Sequence, residues 1–299
     1  MRKDICRLLL LLFALAAGWL IWSAESLGTL VRSAPGTGLL GVAILYGLSH
    51  LLRLFRLAIL ALPQRNRLLP LMAAHLLTAF PSSFLPFKLG EFLRLGAFCH
   101  ALGSRRGALA VWLTERLGDI VVITVVIGGL YVFQVSIPAP MRALLTVFLL
   151  ASSVAVFVLL AITTSSSYLN RYLVLVSHSA RGLTLLKLSR SLQQLEQHVR
   201  QSVEGRVLAF LLLSILIWCA EIFALFVFMQ QLSISVADFP SLFGSVLLNG
   251  VSSEILAHAT EHKLYQSALL AALALVCVIA VGIWQMMNKM APTDVRRYS

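Results

Sequence analysis

Residues 80–119 read FPSSFLPFKLGEFLRLGAFCHALGSRRGALAVWLTERLGD, and their reading decides the fold. The stretch sets Lys88, Glu91, Arg94, Glu115, Arg116 and Asp119 in and beside apolar sequence of membrane type. An ionisable group at membrane depth costs several kcal/mol unless it faces a partner, a cavity or the interface. Such a cluster is a candidate functional site by default. Pro81 and Pro86 interrupt the apolar run 68–85, with Ser82 and Ser83 between them. If that run crossed the membrane, Lys88, Arg94, Arg105 and Arg106 would all lie outside, against the positive-inside rule. A re-entrant hairpin over about residues 68–90, entering and leaving from the cytoplasm, resolves the conflict. Exposed backbone at membrane depth is tolerated only where it lines a cavity.

Working outward, the composition agrees. Hydrophobic residues make up 59% of the 299 and charged residues 12%, against about 25% charged in soluble domains. A polytopic all-α membrane protein follows. The net charge of +12 belongs to short basic loops that orient the chain and meet anionic lipid, so nucleic acid is not an expected partner. Cys6, Cys99, Cys219 and Cys277 are scattered without paired spacing and read as buried hydrophobes.

The expected transmembrane helices cover about residues 8–22, 38–62, 118–135, 144–162, 207–229 and 268–286. Arg2, Lys3 and Arg7 keep the N-terminus cytoplasmic, and Lys289, Arg296 and Arg297 do the same for the tail. Arg53 and Arg56 share a face near the inner end of the second helix and read as snorkelling to headgroups, with a substrate path as the alternative. The cytoplasmic loop 165–206 contains an amphipathic helix from about 183 to 203. For the parity to close, residues 239–256 form a second re-entrant segment of opposite sense. Helix–hairpin–helix then occurs twice in opposite orientation, the pattern of an inverted repeat around a transported substrate.

The charges admit a functional and a bland reading. After Pro86 a helix restarts, bringing Lys88 to its first turn beside Gly90, which allows close backbone approach to a phosphate. Glu91 and Arg94 are three apart and suit a local pair. Glu115 and Asp119 flank Arg116, leaving spare negative charge to meet a cationic or polyol headgroup. The bland alternative is a salt bridge from Glu115 or Asp119 to Arg94 or Lys88 that pins hairpin to helix. The string His258-Ala259-Thr260-Glu261-His262 fits H-x-x-E-H, with Glu254 on the same helical face. It lies in a short expected external loop and reads as polar side chains at the surface. No ligand spacing joins His50, His75, His100, His178 and His198, so no metal or cofactor is expected.

The run Pro86-x-Lys88-x-Gly90-Glu91-x-x-Arg94, followed by Glu115-Arg116-x-x-Asp119, resembles the transmembrane family of lysylphosphatidylglycerol synthases. These are the flippase domains of bacterial multiple peptide resistance factors and their stand-alone relatives. The resemblance implies a bacterial inner-membrane protein that moves a phospholipid, aminoacyl lipid or glycolipid between leaflets. It implies substrate contacts at Lys88, Gly90, Glu91, Arg94, Glu115, Arg116, Asp119 and Glu254, no covalent catalysis, and membrane lipids as partners. Gly250-Val251-Ser252-Ser253-Glu254 matches the family's second-half turn loosely, and the chain carries no aminoacyl-transfer domain before Ser299. Two other classes stand beside the transporter: a non-catalytic membrane partner of a lipid- or glycan-modifying enzyme, and a metal-dependent membrane hydrolase.

Overall fold

The computed structural model describes residues 36–84, 89–134, 180–240 and 264–276, with scattered positions elsewhere. The described residues are helical, without strands. They form α1 (Gly36–Leu60), α2 (Leu68–Phe84), α3 (Leu89–Leu102), α4 (Arg105–Val132), α5 (Ala180–Val203), α6 (Val207–Gln231) and α7 (Leu264–Val276). A 3₁₀ segment, Leu62–Arg67, joins α1 to α2. Helices α1 and α6 are long and apolar enough to cross a bilayer.

The contacts fix how these helices run. Gly38 meets Gln231, Glu221 meets both Ser49 and Arg53, Arg56 meets Ser214, and Arg206 donates to the Ile59 carbonyl at 3.2 Å. Partner numbers fall on α6 as they rise on α1, so the two helices are antiparallel. Helix α4 lies across both and runs with α6: Ala108 and Val111 pack near Leu57, Leu60 and Phe210, whereas Ile123 and Ile127 pack near Val42, Ala224 and Phe228. Gly118 permits the crossing. A Cβ there would stand 2.5 Å from Phe210 Cζ and 2.8 Å from Ser214 Oγ.

Two apolar clusters result, one at each end of the bundle. One end gathers the exposed Arg65, Arg67, Arg105, Arg106, Lys187, Arg190 and Arg200. We call it the basic end. Helices α2 and α3 form an antiparallel hairpin whose open end lies there, since Leu71 of α2 shares a cluster with Phe98, Ala101 and Leu102 of α3. Helix α5 packs beside the start of α4, and Arg106 of α4 donates to Gln194 Oε1 of α5.

The surface is inverted relative to a water-soluble bundle. On α1, Leu40, Ile44, Leu48, Leu51 and Phe55 form an exposed stripe at helical spacing, while Val42, Ser49, Arg56 and Leu57 are buried. On α6, Leu208, Leu212, Ile215, Leu216 and Phe223 are exposed in the same way. Continuous apolar faces turned outward around buried charge belong in lipid.

Three expectations about the elements need correction. The helix expected at 118–135 begins thirteen residues earlier, at Arg105, because Gly103 adopts φ +65° and ends α3 while Ser104 caps α4, its Oγ accepting from Gly107 N at 3.2 Å. The interruption read at Pro81 does not end the helix, since α2 continues to Phe84. Glu91 and Arg94 do not pair locally; each reaches a residue of α4 instead. The amphipathic helix expected at 183–203 is observed as α5. The helix expected at 8–22, the span 144–162, the end of 268–286, the tip of the first hairpin and most of the second, 239–256, lie outside the described residues, as does the H-x-x-E-H string.

Candidate functional site

Between the two apolar clusters lies a layer of ionised side chains drawn from four helices. Arg56 of α1 sits at its centre with no exposed surface. Its guanidinium forks onto Asp119 of α4, with Nη1 2.7 Å from Oδ1 and Nη2 3.4 Å from Oδ2. Nη1 also donates to Ser214 Oγ at 3.1 Å and Nη2 to Glu115 Oε1 at 3.4 Å. The fork stands 5.9 Å from the centre of the Phe210 ring. Trp218 Nε1 donates to Asp119 Oδ1 at 3.4 Å. Planar guanidinium groups match carboxylates in this two-point geometry, which the ammonium of lysine does not reproduce.

The hairpin joins the layer through α3. Arg94 Nη2 lies 2.8 Å from Glu115 Oε2, and its guanidinium stands 5.3 Å from the Phe98 ring centre. Glu91 Oε2 accepts from Trp112 Nε1 at 3.1 Å and lies 3.1 Å from Arg116 Nη2. Arg116 Nη1 reaches Asp119 Oδ2 at 3.3 Å, closing the circuit on α4. Along the same face of α1, Arg53 Nη2 meets Glu221 Oε1 of α6 at 2.6 Å, and Ser49 Oγ donates to the same oxygen at 3.2 Å.

Arg53, Arg56, Arg94 and Arg116 thus face Glu91, Glu115, Asp119 and Glu221, charge against charge. The expected surplus of negative charge is absent, because Arg56 and Arg94 supply what Arg116 alone could not. What remains unsatisfied is on the donor side. Nε of each of the four arginines is buried without a hydrogen-bond partner. Exposure is graded as well. The side chains of Arg116 and Glu91 keep 27% and 20% of their surface, whereas those of Glu115 and Arg56 keep none.

Of the eight residues singled out from the sequence, Glu91, Arg94, Glu115, Arg116 and Asp119 converge in this layer, and Gly90 is buried at the start of α3. Lys88 and Glu254 lie outside the described residues. The bland reading of Glu115 as a tie to Arg94 is realised. The snorkelling assigned to Arg53 and Arg56 is not, because both point into the bundle and pair there.

Arg53, Arg56 and Glu221 are the members that the sequence reading left out of the site. Their signal was available. At 100° per residue, Val42, Ser49, Arg53 and Arg56 share one face of α1, opposite the stripe from Leu40 to Phe55. Glu221 is the sole charged residue in α6, which is itself the mark of an interior position.

A family model described as the lysylphosphatidylglycerol synthase TM region matches residues 7–256. No curated protein and no solved structure matches the chain.

Proposed function

The chain belongs to the lysylphosphatidylglycerol synthase transmembrane family, and on that footing we propose that it carries a lipid with a phosphate-containing headgroup between the leaflets of a bacterial inner membrane. One observation carries this reading: a charge-balanced layer of four arginines and four carboxylates, with spare arginine donors, held inside a bundle whose outer faces are apolar. A phosphate is the natural acceptor for buried N–H donors of this kind. A zwitterionic headgroup also replaces an internal ion pair member for member. Its phosphate takes an arginine, and its cationic group takes the carboxylate released. The partly exposed Arg116 and Glu91 are the pair that opens first.

The hairpin is the moving part in this reading. At 1.5 Å per residue, α2 and α3 extend about 26 and 21 Å, short of a hydrocarbon core of about 30 Å. A re-entrant hairpin anchored at a cytoplasmic basic end therefore sets Glu91 and Arg94 within the membrane. Rocking it against α4 exchanges Arg94–Glu115 and Arg116–Glu91 for headgroup contacts. No covalent step is needed, so the chain acts as a transporter and not as an enzyme.

The exposed basic residues Lys187, Arg190 and Arg200 on α5 favour a second reading, a docking face for a lipid- or glycan-modifying enzyme. Reconstitution separates the two. Purified protein in vesicles carrying a head- or tail-labelled phospholipid should make the inner-leaflet pool accessible to an external quencher. Labelled lipid that stays in its leaflet at the rate of protein-free vesicles would favour the docking role.

A further inference from the structure

The ion-pair layer has a neighbour that its pairing does not explain. His50 of α1 and His75 of α2 face each other with ring centroids 5.8 Å apart, and both are buried, at 6% and 1% exposure. All four ring nitrogens lack a hydrogen-bond partner. The groups that face the pair come from α1, α3, α6 and α7. Tyr46 of α1 covers His50 edge-on at 5.0 Å. Arg53 of α1 and Arg94 of α3 lie close enough for their charges to act on both rings, and Arg56 is close enough to act on His75. Beside His50, Ser49 Oγ donates to Glu221 of α6 at 3.2 Å, and the charge of Glu221 reaches the buried Tyr265 of α7.

Proton-bearing side chains thus form a row. It starts at Tyr265, in the apolar cluster remote from the basic end, passes Glu221, Ser49 and His50, and ends at His75 on the hairpin. Acids, histidines and hydroxyls gathered inside a membrane protein mark proton paths, and water bridges the wider spacings. Imidazole suits the end of such a path, because it exchanges a proton without a large change of shape. No cluster of three or more metal-binding side chains occurs among the described residues, and the guanidinium groups disfavour a metal cation in any case.

The arginines tie the proton to the cargo. An imidazolium beside Arg53 and Arg94 is a third cation in one place, and a phosphate seated on those arginines supplies the compensating charge. Proton uptake and phosphate binding therefore favour one another, and the effect is reciprocal. His75 and Arg94 stand on the same hairpin, so its rocking moves the proton site and the phosphate site as one.

We propose that the chain is a proton-coupled carrier in which His75, served by His50, takes up one proton as the arginines take the headgroup phosphate. The inference rests on the transport reading and adds the driving force to it. The proton comes from water on the acidic side and fills the lone pair of an imidazole nitrogen. It leaves that nitrogen for water on the alkaline side as the headgroup departs. One negative lipid charge and one proton cross together, so the step is electroneutral.

A pH gradient tests it. Tail-labelled phosphatidylglycerol is followed in vesicles holding the full chain, with the two sides about one pH unit apart, against protein-free vesicles under the same gradient. The labelled lipid should gather in the leaflet facing the alkaline side by up to about tenfold, because a one-to-one electroneutral carrier balances a tenfold proton ratio with a tenfold lipid ratio. Without the gradient the two leaflets should equalise. His75→Gln keeps a donor and an acceptor but takes up no proton, so it should lose the gradient response as fully as His75→Phe. A purely structural hydrogen-bonding role would spare the glutamine variant. Equal leaflets under the gradient in the wild-type protein, gathering on the acidic side, or a full response in His75→Gln would each overturn the coupling and leave transport standing. Absence of translocation with and without the gradient would overturn the transport reading and the coupling with it. The wild-type comparison stands whether or not the variants fold.

Discussion

The centre of the ion-pair layer and the histidine pair lie in the same bundle and are both buried, yet they are built oppositely. In the layer every carboxylate has an arginine within 3.5 Å, and Arg56 alone makes four hydrogen bonds. In the pair no ring nitrogen has a partner. A buried polar group without a partner costs about 1–3 kcal/mol, so the two regions contribute to stability with opposite sign. The layer ties α1, α3, α4 and α6 together. The pair weakens the contact between α1 and α2, the contact that the proposed rocking of the hairpin would loosen. Such a cost persists where function uses it.

Breaking the layer should give the largest effect. Arg56→Ala strands Asp119 and Glu115 without their central cation, a loss of about 3–5 kcal/mol. Thermal unfolding in detergent and the yield of monodisperse protein should both collapse. Arg56→Met combined with Asp119→Leu should recover part of that loss, because an apolar pair of similar volume avoids the stranded charge. Next in size is Glu221→Gln. Arg53 and Glu221 keep 13% and 16% of their side-chain surface, so water shares the cost, and a loss of about 1–3 kcal/mol is expected. The smallest effect has the other sign. His75→Phe should raise stability by about 1 kcal/mol, since it removes two unserved nitrogens at similar volume. A destabilised His75→Phe protein would erase the contrast between the two regions.

Much of the fold was legible in the sequence, and the reasons are specific. Apolar runs at 38–62 and 207–229 nearly coincide with α1 and α6, because length and hydropathy decide such helices without tertiary information. Positions Leu185, Leu188, Leu192, Leu195 and Val199 announced α5 through their period. The start of α4 was hidden behind the expectation that charge ends a membrane helix, although Gly103-Ser104 is a stop followed by a cap.

At the site, Glu115, Arg116 and Asp119 stood out because charge is rare in apolar sequence. Their partners did not. Whether Arg56 snorkels or turns inward depends on which face of α1 meets α6, and only the opposing stripe of Leu40, Ile44, Leu48, Leu51 and Phe55 distinguishes the two. The histidines were passed over for a different reason. His50 and His75 are 25 residues apart on separate helices, and the antiparallel packing of α1 on α2 alone brings them together.

The most direct test of the account is the role of Arg116, the most exposed arginine of the layer. Its fork reaches Glu91 and Asp119 through different nitrogens, and in the proposed cycle it passes from Glu91 to the phosphate of the headgroup. Lysine keeps the charge but not the fork. Translocation of labelled phospholipid should therefore be measured in vesicles holding equal amounts of wild-type protein and Arg116→Lys. The account predicts near-normal membrane abundance of the variant and translocation reduced to the rate of protein-free vesicles. Wild-type translocation by Arg116→Lys would contradict it.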